Sequence, residues 1–289
     1  MNEQNDDMLV RPRRLPSEEY ERFRQVLALP AAVATPIRRF AHLVAFAWNH
    51  SVSHSPLNGV LVFEGPPGSG KTLAAKVLAQ ALALHHQAKH GDDVFLFAVH
   101  MPALLSEYLG QSGKAVAQMF EGIAFSAQRR PTIVIADEVE ALAFSRERVS
   151  ASDPSDVIRV ADELLRQLDA LRGQPNFLMI ATTNLPGLLD RALTDRADLL
   201  VRFEHPDLES GTKILLLAAQ QARRLGIIAA AEDIGIAAQT LCNHDGNDRP
   251  SGRLLSKLVL LAYVEAGTPK PTADDLIATA RKRVAAGEA

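Results

Sequence analysis

Five runs of apolar residues stand out along the chain: Val60-Leu61-Val62-Phe63, Val94 to Val99, Thr132 to Ala136, Phe177 to Ala181 and Leu199 to Phe203. Each is nearly continuous rather than alternating, as expected of strands covered on both faces. Helical stretches separate them, including one from Lys71 to about His85, and strands joined through helices pair in parallel. The pattern predicts an α/β fold with a five-stranded parallel sheet flanked by helices. After His205-Pro206-Asp207 the strand pattern stops, and Leu208 to Leu225, Ala229 to Cys242, Gly252 to Glu265 and Thr272 to Ala286 read as helices. A boundary near Pro206 follows, with an α/β domain over residues 15–206 and a small all-α domain over 207–289.

Ahead of the first strand, Ser17 with Glu18 and Glu19 has the make-up of a helix start, a capping hydroxyl followed by acids in the first turn. Helices are expected from Glu18 to Leu29 and from about Pro36 to Trp48, forming with the loop Asn49–Asn58 a helical lead-in over 15–58. Residues 1–14, acidic up to Asp7 and basic at Arg11, Arg13 and Arg14, read as a disordered tail.

Composition narrows the function classes. With 47% hydrophobic and 22% charged residues, the chain of 289 is globular rather than disordered or fibrous. Lys and Arg total 31 against 34 Asp and Glu, a formal charge of −3 that gives no electrostatic reason to expect a nucleic-acid partner. One cysteine, Cys242, excludes an internal disulfide and reads as a small buried residue. No apolar run reaches the roughly 18 residues of a membrane helix, and Met1 to Asp7 lacks a signal core, so a cytoplasmic location is expected.

The chemistry begins at Gly65-Pro66-Pro67-Gly68-Ser69-Gly70-Lys71-Thr72, which fits the phosphate-binding loop at every specified position and lies between a predicted strand and a predicted helix. Glycines let the backbone wrap phosphate with its N–H groups, and the helix N-terminus adds positive partial charge. Lys71 would reach the β and γ phosphates of ATP, and the Thr72 hydroxyl would ligate Mg²⁺. The run Thr132 to Ala136 ends in Asp137-Glu138, two acids at the carboxyl end of a parallel strand, the edge where such sheets bind ligands. There Asp137 would hold the Mg²⁺ shell and Glu138 would polarise the attacking water. The next run leads through Thr182-Thr183 to Asn184, placed to orient the same water. Glu140 reads as a surface or capping acid. His85, His86 and His90 read as a solvated helix end, with no acid or Cys nearby to complete a zinc set.

Together with Leu189-Asp190-Arg191-Ala192-Leu193-Thr194-Asp195-Arg196-Ala197-Asp198, these blocks resemble the AAA+ ATPases across residues 15 to 286. That resemblance implies a P-loop NTPase fold with a helical lid and a homo-oligomeric ring, usually a hexamer. In it Arg196 would reach the neighbouring subunit's nucleotide and Arg253, in Pro250-Ser251-Gly252-Arg253, would contact the γ phosphate from the lid. A salt bridge of Arg196 with Asp195 or Asp198, and a solvated Arg253, are the plainer alternatives. A finer resemblance, to the pachytene-checkpoint family of HORMA-domain remodellers, rests on five blocks. They are Gln111-Ser112-Gly113-Lys114 with Met119-Phe120, Asp137-Glu138-Val139-Glu140-Ala141-Leu142, Pro154-Ser155-Asp156-Val157-Ile158-Arg159-Val160, Asp195-Arg196-Ala197-Asp198 and Ser251-Gly252-Arg253-Leu254-Leu255. Without room for the adaptor domain of the larger relatives, the chain is similar to the compact bacterial members of CBASS anti-phage systems. Those act on a HORMA-domain protein bound to a cyclic-nucleotide synthase.

The resemblance also implies pore loops that grip a peptide. Ser106-Glu107-Tyr108-Leu109-Gly110 would be the first, with Tyr108 and Leu109 as substrate contacts; an ordinary partly buried Tyr108 is the plainer, lesser alternative. Ser145 to Asp153 would be the second, or a solvated loop. A DNA-associated helicase-loader or clamp-loader type and a protease-associated unfoldase stand as alternatives, the first disfavoured by the acidic balance.

Overall fold

The computed structural model describes residues 12–50, 57–107, 112–141, 155–185, 187, 191–243 and 249–287. In chain order its elements are β1 (Arg13–Leu15), α1 (Glu18–Val26), α2 (Ala31–His50), β2 (Val60–Glu64), α3 (Lys71–His90), β3 (Val94–His100), α4 (Met101–Glu107), α5 (Ser112–Ala127) and β4 (Thr132–Asp137). They continue with α6 (Ser155–Leu171), β5 (Phe177–Thr183), α7 (Arg191–Thr194), β6 (Leu199–Arg202), α8 (Leu208–Arg223), α9 (Ala231–Cys242), α10 (Gly252–Ala266) and α11 (Ala273–Ala285).

The strands form one sheet in the order β1-β3-β4-β5-β2-β6. The five apolar runs make its parallel part, as expected, and β1 adds a sixth strand antiparallel to β3. This corrects the reading of residues 1–14 as a tail at Arg13 and Arg14. The strand has no apolar run because it covers a sheet edge: Leu15 is buried, while Arg13 and Arg14 stay exposed, with the Arg14 guanidinium over the Phe95 ring. Helix α2 starts at Ala31, earlier than the expected Pro36, which now lies inside it. Helix α3 runs on to His90, where Gly91, at φ 78°, donates its N–H to Gln87 O and closes the helix.

Two compact units separate. One comprises the residues up to Phe23 with Pro36–Gly65 and Thr72–Arg202; the other comprises Arg24–Thr35, Pro66–Lys71 and Phe203 onward. In the first, both sheet faces are dry. Val60, Val62, Phe97, Val134 and Met179 pack with Phe120 and Ile123 of α5 and Leu164 and Leu168 of α6, while Leu61, Phe63, Leu96, Ile133, Leu178 and Ile180 are equally buried. Parallel register sets the strand ends side by side, pairing Glu64 with Thr183 and His100 with Asp137. That edge carries the polar residues of interest.

In the second unit, α8 to α11 close around Leu215, Leu255, Leu258, Val259 and Leu276. Side-chain caps mark three of its helix starts: Asp207 accepts from Ser210 N, Ser251 accepts from Leu254 N, and Thr272 forms a capping box with Asp275. Gly211 lets α8 approach α9, since a Cβ there would stand 2.5 Å from Cys242 Sγ. Burial pushes the Cys242 thiol up to about 11, which makes it a packing residue rather than a nucleophile. Among the described residues no helix is long and apolar enough to cross a membrane.

Candidate functional site

The glycine-rich loop has the backbone that its composition foretells. Gly65, Gly68 and Gly70 take φ of 150°, 73° and 96°, a region that L side chains rarely enter, and α3 starts at Lys71. Lys71 is 5% exposed, and its Nζ donates to Pro66 O at 2.7 Å and Ser69 Oγ at 3.4 Å. Within the same compact unit, this loop packs on the start of α10. A Cβ on Gly68 would meet Ser251 Cβ at 2.8 Å, and one on Gly252 would meet Gly68 O at 3.2 Å. The structure thus brings the loop and the Pro250-Ser251-Gly252-Arg253 segment together, with Arg253 exposed.

On the strand edge, Asp137 Oδ1 accepts hydrogen bonds from Thr72 Oγ1 at 2.8 Å and from Thr182 Oγ1. A hydroxyl and a carboxylate converging at this spacing are hard oxygen donors that fit Mg²⁺. Glu138, the next residue, has φ 60°, outside the ordinary range for a non-glycine residue and costing about 1–3 kcal/mol. The turn is held by Glu138 N donating to Thr182 Oγ1 at 3.3 Å and Val139 N donating to Thr182 O at 3.0 Å. The effect is to swing the Glu138 side chain off the strand, where it is 43% exposed. His100 Nε2, from the end of β3, lies 3.3 Å from Glu138 Oε2. His100 and Thr182 were not singled out in the sequence, yet both ride on strand ends whose register places them beside the acids.

Asn184 is where β5 leaves it, but its partner overturns one reading. Glu140 is not a surface or capping acid: it is 7% exposed, and its Oε1 accepts from Asn184 Nδ2 at 3.0 Å and Asn184 N at 3.1 Å. The physical reason is the turn at Glu138, φ 60°, after which Val139 N donates to Thr182 O and Glu140 lies buried against Asn184.

Arg196 is 29% exposed and makes a forked contact with Asp169 of α6, Nε to Oδ1 at 2.8 Å and Nη2 to Oδ2 at 2.6 Å. Asp169, which the sequence reading did not propose, is thus a near carboxylate of Arg196, and that hydrogen bonding holds the Asp169 carboxyl below the usual range. Asp198 instead braces a strand start, where its oxygens accept from the N–H groups of Asn58, Gly59 and Val60 at 2.7 to 3.0 Å. A further unforeseen pair joins buried Glu64, at the end of β2, to Arg202 at 2.5 Å.

Tyr108, Leu109 and the loop 145–153 lie outside the described residues. Ser106 and Glu107, expected in the first pore loop, belong instead to α4. His86 is buried and stacks on His90 at 4.6 Å, so the helix end is not solvated throughout. Among the described residues no group of three or more His, Cys, Asp or Glu could hold a metal ion.

Residues 61–205, half of the chain, match the family described as ATPase family associated with various cellular activities (AAA). A pachytene checkpoint protein 2 homolog of Oryza sativa subsp. indica is 32% identical over 219 residues, covering 74% of this chain and 46% of that protein. CD-NTase-associated protein 6 of Pseudomonas aeruginosa is 35% identical over 198 residues, covering 66% of this chain and 64% of that one. The chain therefore spans about half to two thirds of the length of these curated relatives. In fold it resembles a chain of the solved E. coli MS115-1 HORMA:CdnC:Trip13 complex, with a TM-score of 0.73 at 17% identity over 94% of each chain.

Proposed function

The chain belongs to the ATPase family associated with various cellular activities, and on that footing we propose that it hydrolyses ATP within a homo-oligomeric ring, a hexamer, to remodel a HORMA-domain protein. The observation that carries the ATPase reading is the convergence of Thr72 and Thr182 on Asp137, with Glu138 turned outward beside them. In this reading the amides of Gly65 to Gly70 and the Lys71 ammonium hold the phosphates. Thr72 and Asp137 hold Mg²⁺, which neutralises charge on the transferring phosphoryl group. Glu138 accepts the proton of the attacking water, and Asn184 orients that water. Arg196 completes the site of the neighbouring subunit, Arg253 follows the nucleotide from the helical unit, and Tyr108 and Leu109 grip the substrate.

The partner class draws support from the similarity to pachytene checkpoint protein 2 and to CD-NTase-associated protein 6. The second relative favours a bacterial setting, the CBASS cyclic-nucleotide defence, in which the HORMA-domain protein is bound to a cyclic-nucleotide synthase. The solved complex of the same fold names a HORMA protein and CdnC together, the pair to try first.

Glu138→Gln decides the enzymatic part. It removes the proton acceptor while keeping shape, so ATP and Mg²⁺ should stay bound in a stable oligomer while turnover is lost. Steady-state hydrolysis with nucleotide retention measured on the same sample checks this, and hydrolysis at the wild-type rate would sink the assignment. The same trapped oligomer, mixed with a purified HORMA–synthase pair, should retain the HORMA protein in an ATP-dependent manner.

A further inference from the structure

Orienting a water leaves open which end of the Asn184 carboxamide does it, since the amide's oxygen and nitrogen ends are nearly alike in shape and opposite in hydrogen-bonding sense. Glu140 decides. A carboxylate only accepts, and Glu140 Oε1 takes both the Asn184 backbone N–H and the Nδ2 donor. With Nδ2 turned to Glu140, the Oδ1 carbonyl is turned away from it.

The arrangement is a costly one for mere structure. Glu140 is 7% exposed, and its second oxygen, Oε2, is buried with no hydrogen-bond partner among the described residues. Burying a carboxylate that is only half satisfied is unfavourable, and an apolar residue would fill the same space at less cost. A buried unsatisfied polar atom in a site of this kind calls for a functional account.

We propose that Glu140 is a positioning residue that fixes the polarity of Asn184, so that Asn184 meets the attacking water through Oδ1, as a hydrogen-bond acceptor. The proposal rests on the reading of Asn184 as the water-orienting residue. A water held between two acceptors, the Glu138 carboxylate and Asn184 Oδ1, points both of its protons at them and keeps its lone pairs for phosphorus. An Asn184 turned the other way would offer N–H groups and compete for those lone pairs.

The test compares kcat with the Kd of a non-hydrolysable ATP analogue across a small set of variants. Asn184→Ala checks the underlying reading: kcat should fall about 10²-fold through loss of water alignment, with the Kd unchanged, and an unaltered kcat would overturn the role of Asn184 itself. Given that fall, Glu140→Ala should lower kcat to a similar extent, and combining the two should lower it no further. Glu140→Gln should recover most of the activity, since its amide oxygen can still accept from Asn184. Asn184→Asp should be inactive beside Glu140, where two carboxylates meet. Glu140→Gln added to Asn184→Asp should raise kcat at least tenfold above Asn184→Asp alone, because the introduced glutamine amide can then donate to the new carboxylate.

Wild-type kcat in Glu140→Ala overturns the proposal while leaving the role of Asn184 standing, as does a double variant no better than Asn184→Asp. Should Glu140→Ala fail to fold, that last comparison decides alone, since both of its members keep side chains of native size.

Discussion

The carboxyl ends of β2 to β5 and the helical unit from Phe203 onward are held together by different means. At the strand ends, position depends on hydrogen bonds between side chains distant in sequence: Thr72 and Thr182 on Asp137, Glu140 on Asn184. In the helical unit, local caps end the helices and apolar side chains fill the space between them. The first region should therefore be sensitive to the loss of a single polar atom, and the second to a change of volume.

Thr182→Val offers the sharpest contrast, since it keeps shape and removes only the hydroxyl. The Thr182 oxygen donates to Asp137 and accepts from Glu138 N, and hydrogen bonds to charged groups contribute about 1.5–3 kcal/mol each. Hydrolysis should fall by about 10- to 100-fold and respond more weakly to Mg²⁺ concentration, as read from rates across a Mg²⁺ titration. Unchanged hydrolysis would show that Asp137 is positioned without its hydroxyl partner.

Gly211→Val probes the other region. Its Cβ would sit 2.5 Å from Cys242 Sγ, and overpacking of this kind destabilises by about 1–3 kcal/mol. The chain's one tryptophan, Trp48, is buried in the α/β unit, so its fluorescence reports melting there, whereas far-ultraviolet circular dichroism reports the helices of both units. The variant should melt earlier by dichroism while the Trp48 transition stays in place. Equal shifts in both signals would break the comparison by making the units one cooperative block.

Asp169→Asn carries the smallest effect on stability. The pair with Arg196 is half-exposed on the carboxylate side, so after solvent screening it contributes no more than about 1 kcal/mol. Because Asp169 titrates below its ordinary range in the folded chain, this contribution is present at neutral pH, above the unfolded value, and is lost as pH falls through the lowered folded value. Urea midpoints of the wild type and variant should differ slightly at pH 7 and converge in acid. A gap that persisted at the lowest pH would assign the stability to something other than this ion pair.

The strands were legible because a strand buried on both faces writes itself as a continuous apolar run, and the glycine-rich loop because its glycines serve one backbone shape. Strand β1 escaped since an edge strand of three residues with two exposed arginines carries no apolar signal. Glu140 was misread for a related reason: a lone acid after an acid pair looks solvated until the positive φ of Glu138 turns the chain inward. Its partner Asn184 stands 44 positions away, as Asp169 stands 27 from Arg196, and no local pattern records such distances. His100 gave no cue at all, because its nearness to Glu138 is a product of sheet register alone.

Asp198 holds three successive amides at the start of β2, and it stands two positions after Arg196. The strand so anchored leads without a break into the glycine-rich loop. A pull on the arginine-bearing turn therefore reaches that strand with only two peptide units of slack. One carboxylate thereby sets the place of the arginine-bearing turn and the start of the strand together.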